Sequence, residues 1–271
     1  YTTLAEAVAA AAADDTITLL KDITLTASIV INKDVTIDMN GSNIAFPTLA
    51  EGDEVFSVKD GGNLSLNNSL TTGGVVTANN DHRCYGIYLY MAGVNTANIG
   101  ENVTIDTKAG VAVMKDNVLN VYGTVKGNGD FAITGNGEAH NTTINLYSTA
   151  VVESDGGIGI FHPQNGTLNI IGASVTGATA IYMKSGTLNV TGGSISGNGD
   201  EAEYAYRPSG ANATGDALVV DNCDYPGGEP TVTITGGTFA SENGKGIGSY
   251  SGNGVTELAH VNATSNRTTA P

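Results

Sequence analysis

A four-residue motif that alternates polar and apolar residues recurs along this chain, and a glycine turn and a further apolar residue follow it each time. The clearest copies are Thr167-Leu168-Asn169-Ile170, Thr187-Leu188-Asn189-Val190 and Thr231-Val232-Thr233-Ile234. Weaker copies are centred on Thr36, Ser65, Asn98, Asn120 and Asn145. A second series of short apolar runs, such as Ile87-Tyr88-Leu89 and Ile181-Tyr182-Met183, precedes the copies. Self-similarity of this kind is typical of a solenoid.

Each unit of the repeat contains short strands that cannot bury their apolar side chains alone. Side chains alternate along a strand, so a three-residue strand buries two residues and exposes one. Units stacked on one another at roughly 4.8 Å can bury them together. The sequence therefore predicts an all-β, single-stranded parallel β-helix, right-handed because parallel crossovers nearly always are.

The repeat also predicts which side chains lie inside. Apolar residues beside the central asparagines should be buried in adjacent columns, and the asparagines should form an outer row whose amides hydrogen-bond along the axis. The expected core residues are Leu119, Val121, Ile144, Leu146, Leu168, Ile170, Leu188 and Val190, and the expected row is Asn98, Asn120, Asn145, Asn169 and Asn189.

The composition and charge of the chain argue against several classes of protein. The chain has 271 residues, of which 40% are hydrophobic, and a formal net charge of −16. Glycine has no three-residue period, which excludes collagen, and the apolar runs are too frequent for general disorder. Nucleic-acid binding is disfavoured because it needs a concentrated basic face. No apolar run approaches the roughly 18 residues of a membrane span, so we expect no membrane insertion.

The two cysteines are expected to remain unbonded. Cys84 and Cys223 accompany strands five coils apart, which places them about 24 Å apart along the axis. A disulfide needs Cα atoms within about 7 Å of each other.

An amphipathic helix is predicted ahead of the first coil. Leu4, Ala7, Val8 and Ala11 follow the spacing of one helical face, and Thr3 with Glu6 matches a capping box. Such a helix would cover an otherwise open strand edge. The predicted organisation is a capping helix over 1–14, the parallel β-helix over 15–261, and a linker or tail over 262–271.

The segment from Leu4 to Gly41 resembles the opening of β-helix proteins of the pectate-lyase-like superfamily. It contains the helix, Asp15-Thr16-Ile17-Thr18-Leu19, Ile29-Val30-Ile31 and Val35-Thr36-Ile37. More narrowly, the chain resembles the adhesin-like β-helix modules of large bacterial surface proteins. The resemblance implies an extracellular, surface-attached module of a larger multidomain chain, but the superfamily includes lyases, hydrolases, adhesins and inert stalks.

The strand before each asparagine-row strand is expected to present an outer face rich in aromatic rings. Its outward residues include Tyr88, Tyr90, Phe161, Tyr182, Lys184, Asp221 and Tyr250. Exposed rings on a flat surface can stack on sugar rings, although tyrosine also suits exposed strands without any ligand. We expect this face to be the ligand-binding surface, with carbohydrate or a host surface protein as partner.

Two insertions interrupt the coil around Asp221, over 198–216 and 222–230, and long loops on a solenoid often carry function. They contribute Tyr206, Arg207 and Asp216 to the predicted site. Asp216, Asp221 and Asp224 could form a Ca²⁺ site, or two of them an acid/base pair, or they belong to a solvated acidic loop. No other cofactor is expected.

The sequence favours recognition over catalysis. The Asn-Thr-Asp, Gly-His-Gly and Arg-Ile-Lys strings of polygalacturonase-like hydrolases do not occur, and Arg207 with Asp216 and Asp221 is the only cluster that a lyase could use. The expectation is a non-catalytic adhesin-like module. The alternatives are a polysaccharide lyase or glycoside hydrolase, and a passive spacer.

Overall fold

A computed structural model describes residues 1–223 and 225–251, together with the backbone of 254–255 and 261–263. Apart from one short helix, α1 (Leu4–Ala10), the regular elements are strands, and they form three parallel stacks around one core. This is the parallel β-helix that the repeat predicts; the right-handed coil stays a prediction.

The first stack, here called the asparagine stack, contains the repeated motif. Its strands pair in parallel and in a constant register from coil to coil. They are β1 (Asp15–Thr18), β4 (Asp34–Asp38), β7 (Asn63–Asn67), β10 (Thr96–Ile99), β13 (Val118–Val121), β16 (His140–Leu146), the first parts of β19 (Asn165–Gly177) and β21 (Thr187–Gly197), β23 (Thr231–Ile234) and β27 (Val261–Ala263).

The second stack follows each asparagine-stack strand after a turn. It contains β2 (Ile23–Thr24), β5 (Ile44–Phe46), β8 (Val75–Ala78), β11 (Thr104–Thr107), β14 (Thr124–Asn128), β17 (Val151–Asp155), the second parts of β19 and β21, and β24 (Thr238–Ser241). Glycine permits the sharp turn inside β21, because Gly193 has φ +107° and a Cβ there would lie 2.2 Å from the Ala173 carbonyl oxygen.

The third stack carries the face that the sequence singles out. It contains β3 (Ile29–Ile31), β6 (Glu54–Val58), β9 (Tyr85–Leu89), β12 (Ala109–Val113), β15 (Ile133–Gly135), β18 (Ile158–His162), β20 (Thr179–Met183), β22 (Leu218–Asn222), β25 (Ile247–Ser251) and β26 (Gly254–Val255). β26 pairs with β25 antiparallel, whereas the other pairs of this stack are parallel.

The core lies between the three stacks, and the predicted inward columns are confirmed. All eight predicted core side chains are buried to within 1% of complete burial. They belong to one continuous cluster that runs from Leu4 to Ile247. Each coil thus buries the apolar residues of its neighbours, which is why no unit could fold alone.

The asparagine row is confirmed as an outer, half-buried ladder. Asn120, Asn145, Asn169 and Asn189 each donate through Nδ2 to the Oδ1 of the asparagine one coil earlier, at 2.8–3.0 Å. Asn98 begins the ladder by donating to Ser65 and Asn63. Each amide therefore satisfies a neighbour's acceptor while the side chain remains on the surface.

Helix α1 begins with the predicted capping box. Thr3 Oγ1 accepts from the Glu6 backbone N–H, and the Glu6 carboxylate accepts from the Thr3 backbone N–H. The helix buries Leu4, Ala7 and Val8 against the first coil. It is shorter than the expected capping segment, since it ends at Ala10.

The remaining expectations about organisation concern the cysteines and the tail. Cys84 and Cys223 are both buried, and no disulfide joins them, as the sequence predicts. At the other end, β27 keeps the backbone in the asparagine stack as far as Ala263. Residues 264–271 of the predicted tail lie outside the described residues.

Candidate functional site

The outer face of the third stack, here called the ring face, divides into two parts. Tyr88 and Tyr90 lie at one end, where the rings remain half-buried. Phe161, Tyr182 and Tyr250 lie towards the other end, where the insertion over 198–216 lies across the face. The two parts differ in how far solvent reaches their rings.

The expectation of an exposed ring row is wrong for the second part. Phe161, Tyr182 and Tyr250 are only 5%, 1% and 5% exposed. With Ile158 and Val219 they form a cluster of their own, outside the main core, against which Tyr204, Ala211 and Ala213 of the insertion pack. The insertion therefore covers the face, whereas the sequence suggested only that it stands beside it.

Asp221 is fully buried beneath this cover and accepts two tyrosine hydroxyl groups. Tyr182 donates to Oδ2 at 2.9 Å, and Tyr204 of the insertion donates to Oδ1 at 2.8 Å. Burial, followed by the adjacent Asp221 carboxylate, raises the pKa of Tyr182 far above its usual value. Burial and the same carboxylate act likewise on the pKa of Tyr204. Both tyrosines thus remain neutral donors.

Lys184 is also fully buried, and its ammonium group joins both insertions to the body of the β-helix. Nζ donates to the carbonyl oxygens of Arg207 and Gly210 at 2.6 and 2.9 Å. It lies 3.9 Å from Asp221 Oδ2 and 4.6 Å from the centre of the Tyr225 ring in the second insertion. Burial lowers the pKa of Lys184, and nearby Cys223 and Asp221 oppose that effect.

Asp216 belongs to a separate network. Its Oδ2 accepts from the Tyr250 hydroxyl at 2.6 Å, and its Oδ1 accepts from the backbone N–H of Lys245 at 2.7 Å. Burial and this carboxylate together raise the pKa of Tyr250. Asp216 and Asp221 are thus both buried acceptors, and neither faces solvent where an acid/base pair would meet a polysaccharide.

The Ca²⁺ expectation involves Asp216, Asp221 and Asp224. The first two carboxylates are already engaged by tyrosine hydroxyls, and Asp224 lies outside the described residues. Over the residues that the structure describes, no group of three or more His, Cys, Asp or Glu side chains is arranged to hold a metal ion.

Tyr206 and Arg207 lie on the solvent side of the insertion. Tyr206 is 49% exposed and Arg207 is exposed as well. Arg207 contacts the buried cluster through its carbonyl oxygen, which Lys184 binds. The structure therefore brings Tyr182, Lys184 and Asp221 together with Tyr204, which the sequence did not single out, but keeps the Tyr206 side chain on the outside.

The first part of the ring face retains accessible rings. Tyr88 lies 4.5 Å from Tyr90 and 5.3 Å from Tyr85, measured between ring centres, and the Tyr85 ring meets it edge-on. The Tyr90 hydroxyl lies 3.1 Å from both carboxylate oxygens of Glu54. Burial raises the pKa of the Glu54 carboxyl. Burial and Glu54 raise the pKa of Tyr90 to about 12.

Strand alternation does not predict that Tyr85 and Glu54 belong to the ring face, because it assigns outward positions only at every second residue. Each stands three residues before an outward residue of the same strand, Tyr85 before Tyr88 and Glu54 before Ser57. The register pairs Glu54 with Tyr85 and Ser57 with Tyr88 on adjacent coils. An alignment of the units against one another, rather than strand periodicity, would have shown the pairing.

An ion pair lies between the two parts of the ring face. Arg83 Nε is 2.6 Å from Asp130 Oδ2, and the guanidinium lies 5.3 Å from the centre of the Phe131 ring. Phe131 in turn stacks on Phe161 at 4.9 Å. Rings and charges thus continue along the face from the accessible tyrosines to the covered cluster.

His162 is a buried structural residue. Its Nδ1 lies 3.1 Å from the Ser185 carbonyl oxygen. Burial lowers its pKa to about 4, so the ring is neutral at physiological pH.

Comparison with protein-family models, with curated proteins and with solved structures finds no match for this chain. Among the described residues, no helix has the length and apolar character needed to cross a membrane. The geometry of the ring face is therefore the basis from which a function can be inferred.

Proposed function

We propose that this β-helix is a non-catalytic recognition module that binds a saccharide on the ring face, at Tyr85, Tyr88 and Tyr90. The accessible cluster of three tyrosines, in which the buried Glu54 carboxylate holds the Tyr90 hydroxyl, is the observation that carries the proposal. Apolar ring faces of sugars pack on aromatic side chains, and tyrosine hydroxyls can exchange hydrogen bonds with sugar hydroxyls.

The charge of the protein narrows the ligand class. A formal net charge of −16 repels acidic polymers, so a neutral saccharide fits better than a uronic acid or a sulfated glycan. The resemblance to adhesin-like modules of bacterial surface proteins, within the pectate-lyase-like superfamily, supports a secreted or cell-surface location in a larger chain. Carbohydrate of a host or neighbouring cell would then be the partner.

The experiment is a glycan array at neutral pH, followed by calorimetry with each neutral oligosaccharide that binds. Tyr88→Ala should weaken binding at least 10-fold, because Tyr88 contacts both neighbouring tyrosine rings and its loss breaks the cluster. Glu54→Gln should weaken binding less, since Glu54 is buried and acts only by holding the Tyr90 hydroxyl, for which the amide retains an acceptor oxygen.

Tyr122→Ala is the matched control. Tyr122 is a half-buried tyrosine that stacks on Tyr147 at 4.2 Å beside the asparagine stack, away from the ring face. Its removal should leave affinity unchanged. Equal losses in Tyr88→Ala and Tyr122→Ala would place the binding site elsewhere, and an array without any saccharide signal would reject the proposal.

A passive spacer is the second candidate, and the asparagine ladder favours it. Five amides in one line stiffen a rod whether or not any ligand exists. A spacer should bind no saccharide on the array and should tolerate Tyr88→Ala without loss of adhesion of the parent cell.

A further inference from the structure

We propose that residues 200–213, here called the strap, are a displaceable cover over a second saccharide-binding surface, and that Lys184 is the residue that holds the cover closed. The opening of the strap can be tested without any ligand. The saccharide part of this inference rests on the proposed function.

The surface beneath the strap is complete without the strap. Ile158, Phe161, Tyr182, Val219 and Tyr250 all belong to strands of the third stack, and their cluster is separate from the main core. Removal of the strap would therefore expose three rings in line with the accessible tyrosines, while the core between the stacks would remain closed.

Hydrogen bonds from backbone N–H groups attach both ends of the strap to the β-helix, and few contacts attach the residues between them. At one end the Asn198 and Gly199 N–H groups donate to the carbonyls of Gly177 and Ala178, and at the other the Thr214 N–H donates to Thr179 Oγ1. Between these points the segment has no strand or helix, and most of its residues from 200 to 209 are exposed. Segments with few buried contacts open at a lower free-energy cost than the whole fold.

Lys184 supplies two direct attachments in the middle of the strap, at the Arg207 and Gly210 carbonyls. Tyr204 supplies another, because its ring stacks on Tyr250 at 4.6 Å while its hydroxyl donates to Asp221. When the strap lifts, water can solvate Lys184 and Asp221, which are desolvated in the closed form. Lys184 therefore sets the balance between the closed and the open form.

The open surface would suit the same ligand class as the accessible tyrosines. Phe161, Tyr182 and Tyr250 offer ring faces, and the Asp221 carboxylate loses the Tyr204 hydroxyl and can accept from a sugar hydroxyl instead. A longer saccharide bound at Tyr88 could extend along the face past Phe131 onto these rings.

The test is the rate at which a thiol beneath the strap is labelled in the native protein. In a Cys84→Ser, Cys223→Ser background, Val219→Cys places a thiol in the covered cluster, and Val220→Cys on the same strand places one in the main core. Both valines are buried, so the pair is matched. We expect Val219→Cys to be labelled at least 10-fold faster than Val220→Cys under native conditions. Equal rates would show that the strap opens only when the β-helix unfolds, and would overturn the proposal.

Lys184→Met tests the role of Lys184. It should increase the labelling rate of Val219→Cys by about 10-fold more than that of Val220→Cys, whose rate rises only as far as loss of one partner of the ion pair destabilises the whole fold. Lys245→Met is the control, because Lys245 also lies over a tyrosine ring, 4.9 Å from the centre of Tyr250, and its Nζ binds the Tyr250 hydroxyl rather than the strap. No effect of Lys184→Met, or equally faster labelling of both thiols, would overturn the assignment of Lys184.

The saccharide part has its own readout. An oligosaccharide that binds the wild type should bind Lys184→Met at least 3-fold more tightly, because the open form is already populated. Unchanged affinity would reject the second surface as a saccharide site. Absence of binding to both proteins would reject the proposed function and this saccharide assignment, while the labelling rates would still decide whether the strap opens.

Discussion

The Lys184 ammonium group lies 3.9 Å from the Asp221 carboxylate, and neither side chain reaches solvent. A buried ion pair contributes little net stability when both partners are present, but loss of one partner leaves the other charge uncompensated. This arrangement changes what substitutions at the predicted site should do.

Asp221→Ala should destabilise the protein by about 3–5 kcal/mol, because it leaves Lys184 buried without its carboxylate and removes the acceptor of two tyrosine hydroxyls. An Asp221 on the exposed ligand-binding face that the sequence predicts would instead affect binding more than stability. The midpoint of denaturant unfolding is the measurement. Tyr206→Ala, at an exposed position of the same insertion, should change stability by less than about 0.5 kcal/mol. Similar midpoints for the two variants would contradict the buried arrangement.

Asn145→Ala should destabilise the protein by about 1–2 kcal/mol. Asn145 donates to Asn120 and accepts from Asn169, so the substitution removes two ladder bonds. Asn189→Ala should cost about half as much, because Asn189 donates to Asn169 but is followed in register by Thr233. Thermal melts of both variants would check the ratio, and a neutral Asn145→Ala would show that the ladder contributes nothing.

Leu168→Ala should cost about 2–5 kcal/mol, because Leu168 is completely buried between the side chains of adjacent coils. Ile171→Ala, three residues further on, removes a side chain that is 41% exposed and should cost less than about 1 kcal/mol. Chemical denaturation of the pair measures the inward register directly. A larger loss of stability for Ile171→Ala than for Leu168→Ala would show that the inward and outward residues of this strand are assigned the wrong way round.

Stability should fall on acidification between about pH 6.5 and pH 4, in part because of His162. Burial lowers its pKa to about 4 from 6.5, so the unfolded chain binds a proton in this range that the folded chain does not. The contribution is fully present above pH 6.5 and amounts to about 3 kcal/mol at most. His162→Asn cannot titrate, and the difference in stability between it and the wild type should change with pH over this window. A constant difference would show that His162 is not responsible.

Native protein should give the same intact mass with and without reductant. After denaturation it should take up two alkyl groups from iodoacetamide, one on Cys84 and one on Cys223. In the native state Cys84 should react slowly, because its Sγ is buried 3.2 Å from the Ala50 carbonyl oxygen. Uptake of fewer than two groups by unreduced, denatured protein would indicate a disulfide.

The arrangement of each coil could be predicted from the sequence, because every unit has to bury its apolar residues in the same way. Leu168 and Ile170 flank Asn169 as Leu188 and Val190 flank Asn189, so one assignment of inside and outside applies to every copy. The capping box could also be predicted, because Thr3 and Glu6 are only three residues apart in sequence. Where a rule involves residues close in sequence or repeated at a fixed spacing, no three-dimensional information was needed.

The burial of the second part of the ring face could not be predicted from the sequence in the same way. Tyr182 has the alternation of an exposed strand residue, but Tyr204 and Ala211, which lie outside the repeat, bury it. Where a 19-residue insertion folds relative to a strand depends on contacts such as Lys184 with the Arg207 carbonyl, which no local pattern encodes. Strand periodicity predicts the direction of a side chain, whereas a loop determines whether that side chain meets water.

The constant register of the asparagine ladder has a consequence for how such a chain can evolve. Asn145, Asn169 and Asn189 occupy equivalent positions, and the last two are separated by 20 residues. Deletion of residues 169–188 would join Leu168 to Asn189 and bring Asn189 onto Asn145, with the same hydrogen bond and the same apolar neighbours. As far as the asparagine stack is concerned, gene duplication or loss in whole units can therefore lengthen or shorten the rod, whereas a loss of only part of a unit would misalign every stack at once. On the ring face this particular deletion would also remove Tyr182 and Lys184, so Asp221 would have to change with them.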